Sequence, residues 1–224
     1  MCKILIVTIV LSLAISMAVG QTVEINSGQT NVLLDTSTLS SAAGLNLSSV
    51  SNDVIAPGNL GAGSVAFPVN ARDAMAPLLA TTFAYDPADF LNTFSGTIEH
   101  VGSVFFNTDT VEVGNFTIGY DGARAGTLGG DASGFFIEST TGIAAILFDV
   151  ENPTTLTATA GDLTIEADLL VSPEFAQFLL DNTLASTNLA GADVGDSLVE
   201  AVVPEPGTAF ILTLGAIVAL RRKR

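Results

Sequence analysis

Four aspartates have neighbours suited to holding a divalent cation: Asp121, Asp131, Asp193 and Asp196. Asp121 precedes Gly122, and Asp131 follows Gly129-Gly130, within one glycine-rich stretch. Asp193 and Asp196 read as a second acidic loop. Hard oxygen ligands on flexible loops are what Ca²⁺ requires. Neither stretch has EF-hand spacing, and Asp-Gly pairs also serve plain turns, because both residues tolerate positive φ. Paired carboxylates for glycoside hydrolysis are a second chemistry. Glu99, Glu112, Glu138 and Glu166 fall on predicted strands, and Glu166 and Asp168 share one face roughly 7 Å apart. Their alternation with apolar residues reads as a solvated face, however. A sugar cleft also wants stacking aromatics, and the chain has no Trp and two Tyr, Tyr85 and Tyr120. A nucleophile–histidine pair must use His100, the one histidine. It lies in a predicted strand, and no serine sits in a Gly-x-Ser-x-Gly elbow. His100 therefore reads as a strand histidine and not as a base.

Composition narrows the chemistry further. The one cysteine, Cys2, lies at the extreme N-terminus. The stretch 21–203 thus has no disulfide, no thiol nucleophile and no thiolate metal site. It also has no lysine, which excludes Schiff-base chemistry and lysine-based isopeptide bonds. Twenty-two carboxylates against the two guanidiniums of Arg72 and Arg124 leave it at −20. Such a chain does not bind nucleic acid through its phosphates. The balance reads as a solubilising surface, or as carboxylates that divalent cations bridge to one another or to an acidic polysaccharide.

Short apolar runs separated by Thr, Ser, Gly and Asn predict a mainly β protein. Thr22 to Asn26 and Asn31 to Asp35 read as a first pair of strands, and 36–63 as irregular with short strands in it. Ala74 to Leu79 could form a helical turn. Thr97 to Phe106 reads as extended. Apolar parity changes between Val113 and Phe116, so Gly114-Asn115 must be a bulge or a tight turn. Ile143 to Val150 is apolar on both parities, which predicts a covered central strand. Leu163, Ile165, Ala167, Leu169 and Val171 alternate with polar residues, and Gly161-Asp162 before them fits a hairpin turn. One helix is predicted, with Ser172 as cap, Pro173 at its first position, Glu174 near the positive dipole end and Asn182 as its end. Residues 188–203 are mixed in pattern. The fold expected is all-β: an antiparallel β-sandwich, with a jelly roll as one form of it, carrying one short helix. A partly open barrel is the alternative. Residues 21–200 are expected to form one exported domain.

The two ends carry targeting patterns. Lys3, an apolar run from Ile4 and the small residues Ala18-Val19-Gly20 make 1–20 a secretory signal peptide. It would use the general secretion machinery and be cut by signal peptidase between Gly20 and Gln21. At the other end, Pro204-Glu205-Pro206 is followed by an uncharged, mostly apolar stretch, 208–220, and then by Arg221, Arg222, Lys223 and Arg224. That stretch is a predicted transmembrane helix of about 20 Å, short against a hydrocarbon core of about 30 Å. The basic cluster stays cytoplasmic, so the body lies across the membrane. The length suits temporary retention.

This order of triplet, helix and basic tail over 203–224 resembles the PEP-CTERM sorting signal of bacteria that carry an exosortase. The resemblance implies that a membrane transpeptidase with a cysteine nucleophile recognises Pro204-Glu205-Pro206. The tail would be removed, and the body would pass from the inner membrane to the cell surface or the extracellular matrix. It also implies company with exopolysaccharide. The function expected is a non-enzymatic, structural or adhesive surface protein. A calcium- or carbohydrate-binding module associated with exopolysaccharide is the alternative, and a polysaccharide hydrolase stands third.

Overall fold

The computed structural model describes residues 21–203. The expected signal peptide (1–20), the Pro204-Glu205-Pro206 triplet, the predicted helix 208–220 and the basic residues Arg221 to Arg224 lie outside the described residues.

In chain order the elements are β1 (Val23–Glu24), β2 (Ser27–Leu34), α1 (Thr36–Ala43), β3 (Leu47–Val50), β4 (Val65–Pro68), β5 (Ala84–Tyr85), α2 (Phe90–Thr93), β6 (Ile98–Glu99), β7 (Ser103–Phe106), β8 (Val111–Tyr120), β9 (Ala132–Gly142), β10 (Ala145–Glu151), β11 (Thr155–Ala158), β12 (Asp162–Val171), α3 (Pro173–Asp181) and β13 (Asp193–Val202). The all-β expectation holds. The main sheet runs β3-β7-β8-β9-β10-β12-β13-β2-β4, with β11 beside β12 and β6 beside β8, while β1 and β5 pair separately. The pairings are antiparallel.

This sheet curls until its ends meet. A bridge links Val69, just after β4, to His100, just after β6. Asn70 N–H donates to the Glu99 carbonyl at 2.7 Å, and Val101 N–H to the Pro68 carbonyl at 3.2 Å. Opposite walls face each other across one core, as the layers of a sandwich do, and they are continuous as in a barrel. Phe67 of β4 packs edge-on against Phe116 of β8, ring centroids 4.8 Å apart. Gly28 and Gly195 sit where β2 and β13 approach most closely; a Cβ at either would strike a backbone oxygen of the facing strand.

Helices close one end of the ring, where Leu39 of α1 and Phe175 of α3 reach the same core space as Val32 and Leu147. The other end is filled by β1, β5 and α2. There Tyr85 and Phe90 rings lie 5.3 Å apart, and Phe90 and Phe94 5.5 Å. The Tyr85 hydroxyl donates to the carbonyls of Thr159 (2.8 Å) and Asp162 (3.2 Å) in the β11–β12 turn.

Several local expectations hold. Helix α3 spans Pro173–Asp181 with Ser172 as cap and Asn182 at its end. The β11–β12 hairpin turns at 159–161. The parity change in β8 is a kink inside one continuous strand, with Asn115 at φ +47°. Others need correction. The described residues hold three α-helices and not one, besides a single 3-10 turn at Leu128–Gly130. Helix α1 was hidden by its Ser/Thr-rich sequence, but Asp35 caps it through Ser37 and Thr38 N–H, and Leu39 and Ala43 bury one face. β1 pairs with β5 and not with β2, which lies between β13 and β4. Ala74 to Leu79 forms turns without a helix. Asp193 and Asp196 lie on strand β13, not in a loop.

Ser172 is fully buried, accepts the Phe175 N–H at 3.0 Å and donates to the Ile146 carbonyl at 2.7 Å. Ser172→Ala removes a cap and leaves a half-buried carbonyl without its donor, and is expected to lower stability by about 1–2 kcal/mol in urea unfolding.

Candidate functional site

The outer face of β10, β12 and β13 carries a row of carboxylates. Asp168 stands directly across from Asp196, and Glu151 of β10 lies beside Asp168. Strand alternation puts them outside, because Ala167 and Leu169 point into the core. Like charges in register on neighbouring strands repel. Burial, then the Asp168 and Asp131 carboxylates, raise the Glu151 pKa above its ordinary value. Burial, then Asp168 and Asp193, raise that of Asp196. Asp168 contributes to both shifts.

Three of the four aspartates singled out from sequence, Asp131, Asp193 and Asp196, thus fall in one electrostatic field. The fourth, Asp121, instead accepts the Ala123 N–H at 2.9 Å within its own turn. Glu151 and Asp168 are the members that sequence reasoning missed for this group. The signal for Asp168 was its alternation on β12, but its partner across β13 was invisible without the pairing. Next to the row is a cleft of about 420 Å³ bordered by Asp35, Ser37, Asp193 and Asp196. Asp35 is committed to capping α1, which holds its carboxyl below the usual range. Asp193 accepts the Gly195 N–H at 3.0 Å. Among the described residues no three His, Cys, Asp or Glu side chains converge as a metal cage. A cation here would meet Glu151, Asp168 and Asp196 as scattered surface ligands, completed by water.

His100 and three of the four strand glutamates have structural partners. His100 is buried, with Nε2 2.8 Å from Thr30 Oγ1 and Nδ1 3.0 Å from the Phe116 carbonyl. The carbonyl accepts from Nδ1–H, so Nε2 accepts from the Thr30 hydroxyl. Burial pulls its pKa down to about 4, and the ring is neutral. It fastens the ring of strands at its seam. The core cavity beside it is about 50 Å³, lined mostly by apolar side chains such as Leu39, Leu147 and Phe175, and is too small for a saccharide. Glu99 accepts the Thr117 hydroxyl at 2.6 Å, Glu112 that of Ser103 at 2.8 Å and Glu166 that of Thr155 at 3.0 Å.

The last described residues form a second feature. Val202 is the final residue of β13, and Val203 is buried, its N–H donating to the Gly161 carbonyl at 2.8 Å. Asn26 N–H donates to the Val202 carbonyl at 3.3 Å. Both ends of the described chain therefore leave from the end of the barrel filled by β1 and β5. No spacer separates Val203 from Pro204.

Residues 202–224 match the family model of the PEP-CTERM protein-sorting motif, so the chain carries that sorting signal at its C-terminus. The motif implies export, sorting by an exosortase in association with the membrane, and passage to the surface. No curated protein matches the chain. Among solved structures it is similar to the C-terminal domain of HtaA from Corynebacterium glutamicum, at 15% identity and a TM-score of 0.49, over 81% of this chain and 99% of that one. Among the described residues no helix is long and apolar enough to cross a membrane.

Glu151 and Asp196 hold protons more tightly folded than unfolded. Their contribution to stability therefore grows as pH falls through the carboxylate range and is withdrawn as pH rises. Asp168→Asn is expected to raise the melting temperature at pH 7, with the gain shrinking toward about pH 4. Thermal melts of both proteins across that range check it.

Proposed function

We propose that the protein is a non-enzymatic component of the cell surface or extracellular matrix, delivered by an exosortase, with a structural or adhesive role. The observation that carries this reading is the junction at Val203. A ring of strands ends, without a spacer, in a signal matched over 202–224. Residues 1–20 act as the signal peptide, cut before Gln21 by signal peptidase after passage through the general secretion machinery. The stretch 208–220 holds the precursor in the inner membrane, with Arg221 to Arg224 on the cytoplasmic side. The transpeptidase then acts at Pro204-Glu205-Pro206. The body it releases is a small β domain whose histidine and whose Glu99, Glu112 and Glu166 carboxylates are taken up in hydrogen bonds within the fold. The double variant Pro204→Ala/Pro206→Ala is expected to remain in the inner membrane with its basic tail attached. Fractionation with mass spectrometry of the C-terminus checks this, and normal release of the variant would remove the sorting reading.

The row of Glu151, Asp168 and Asp196 favours one second reading: a cation-bridged contact with acidic exopolysaccharide. Carboxylates that repel one another gain from a shared Ca²⁺, and waters left on that ion can exchange for sugar carboxylates. Millimolar calcium is then expected to raise the melting temperature and to promote retention on an acidic polysaccharide, both reversed by chelator. Asp168→Asn abolishes the calcium response. A melting temperature indifferent to calcium rules this reading out.

A further inference from the structure

Nine large apolar side chains are exposed on the described body; Leu47, Ile55, Tyr120 and Leu156 are singly placed and less than half exposed, and the three most exposed are found together in one region. Met75 (83% exposed), Leu79 (52%) and Leu91 (71%) stand out, with Leu78 and Val202 beside them in the chain or on the same end. All five belong to the end of the barrel from which both termini leave. The 71–79 loop is pinned there by Arg72, whose N–H donates to Asn26 Oδ1 at 3.1 Å and whose side chain reaches the Phe83 carbonyl and Glu24, each at 3.1 Å. Leu91 is on α2, next to Phe90, which packs on Tyr85 over the β11–β12 turn. Scattered single exposures need no explanation, whereas a cluster of them marks a contact.

The length of chain beyond Val203 says what covers this end. Pro204 to Gly207 are four residues, and the uncharged stretch begins at Thr208. Four extended residues span at most about 14 Å. Resting on the sorting reading above, which places 208–220 in the bilayer, this end of the body is within that distance of the lipid. We propose that it is a membrane-docking surface: Met75, Leu79 and Leu91 insert into the lipid interface while the precursor awaits processing, and the opposite end, with α1 and β3, points away. Lipid charge does not drive the contact. Arg72 is already paired with Glu24, and the nearby Asp73, Asp86 and Asp89 add only negative charge. Insertion is apolar, through loop side chains, in the manner of interfacial anchors.

The body has no cysteine, so single labels can be placed without further changes there. The precursor that awaits processing, residues 21–224, is reconstituted into phosphatidylcholine vesicles. An environment-sensitive fluorophore is attached in turn at Met75→Cys, Leu91→Cys and, as the far-end control, Leu47→Cys, a site 42% exposed on β3. Brominated lipid is expected to quench the labels at 75 and 91 severalfold more than the label at 47, with blue-shifted emission at the first two. Added salt leaves the quenching unchanged. Protein that floats with the vesicles while labels 75 and 91 stay as unquenched as label 47 overturns the docking surface and leaves the sorting reading standing. Protein that does not float at all overturns both.

Discussion

One guanidinium does more for this fold than any other charged group. Arg124 comes from the glycine-rich loop between β8 and β9, where the backbone is free to bring it inward. Its Nε and Nη2 grip Asp149 of β10 at 2.6 and 2.8 Å, and Nη1 and Nη2 reach Glu174 of α3 at 2.7 and 2.9 Å. Asp149 is 1% exposed, and a carboxylate in that position needs a paired and hydrogen-bonded partner. The clamp therefore fixes a loop, a wall strand and the helix that covers the core through one residue. Glu174, meanwhile, is held below its usual pKa by the same arginine. In a body with two arginines and no lysine, one cation is spent here and the other, Arg72, ties the 71–79 loop to Glu24.

Placing so many carboxylates with so few cations dictates the rest of the architecture. They go to the outside of strands whose inner faces are apolar, which is why the β12 alternation is so regular. Where strands pair, outward carboxylates meet in register, and the result is the Glu151, Asp168 and Asp196 row. The buried polar side chains answer to hydrogen bonds instead. Asn31, His100, Ser139 and Ser172 each have partners across strands or to helix backbone. The acidic wall and the apolar interior are thus two faces of one compositional fact.

Much of this was legible where one local rule spoke clearly. The cap, the proline and the amphipathic face around 172–182 specified α3, and the alternation at 163–171 specified β12. The C-terminal signal was readable in full, because it depends on order along the chain and not on pairing. What stayed hidden was set by partners distant in sequence. β1 looked like the first arm of a hairpin, yet it finds β5 some sixty residues on. β13 looked mixed because Gly195 and Asp196 break its pattern, yet Gly195 is required by the close approach of β2. Asp193 and Asp196 consequently looked like a loop. Helix α1 has weak intrinsic propensity and exists because Leu39 and Ala43 find a core to enter.

The position of β13 has a consequence for truncated chains. It is the last strand of the body and also an interior one, hydrogen-bonded along its length to β12 on one side and β2 on the other. The wall cannot be completed until those ten residues are in place between their two neighbours. The sorting motif is matched from residue 202, so the strand that closes the body and the start of that motif share one stretch of chain. A chain cut short before β13 would lose the closed wall and the sorting motif together.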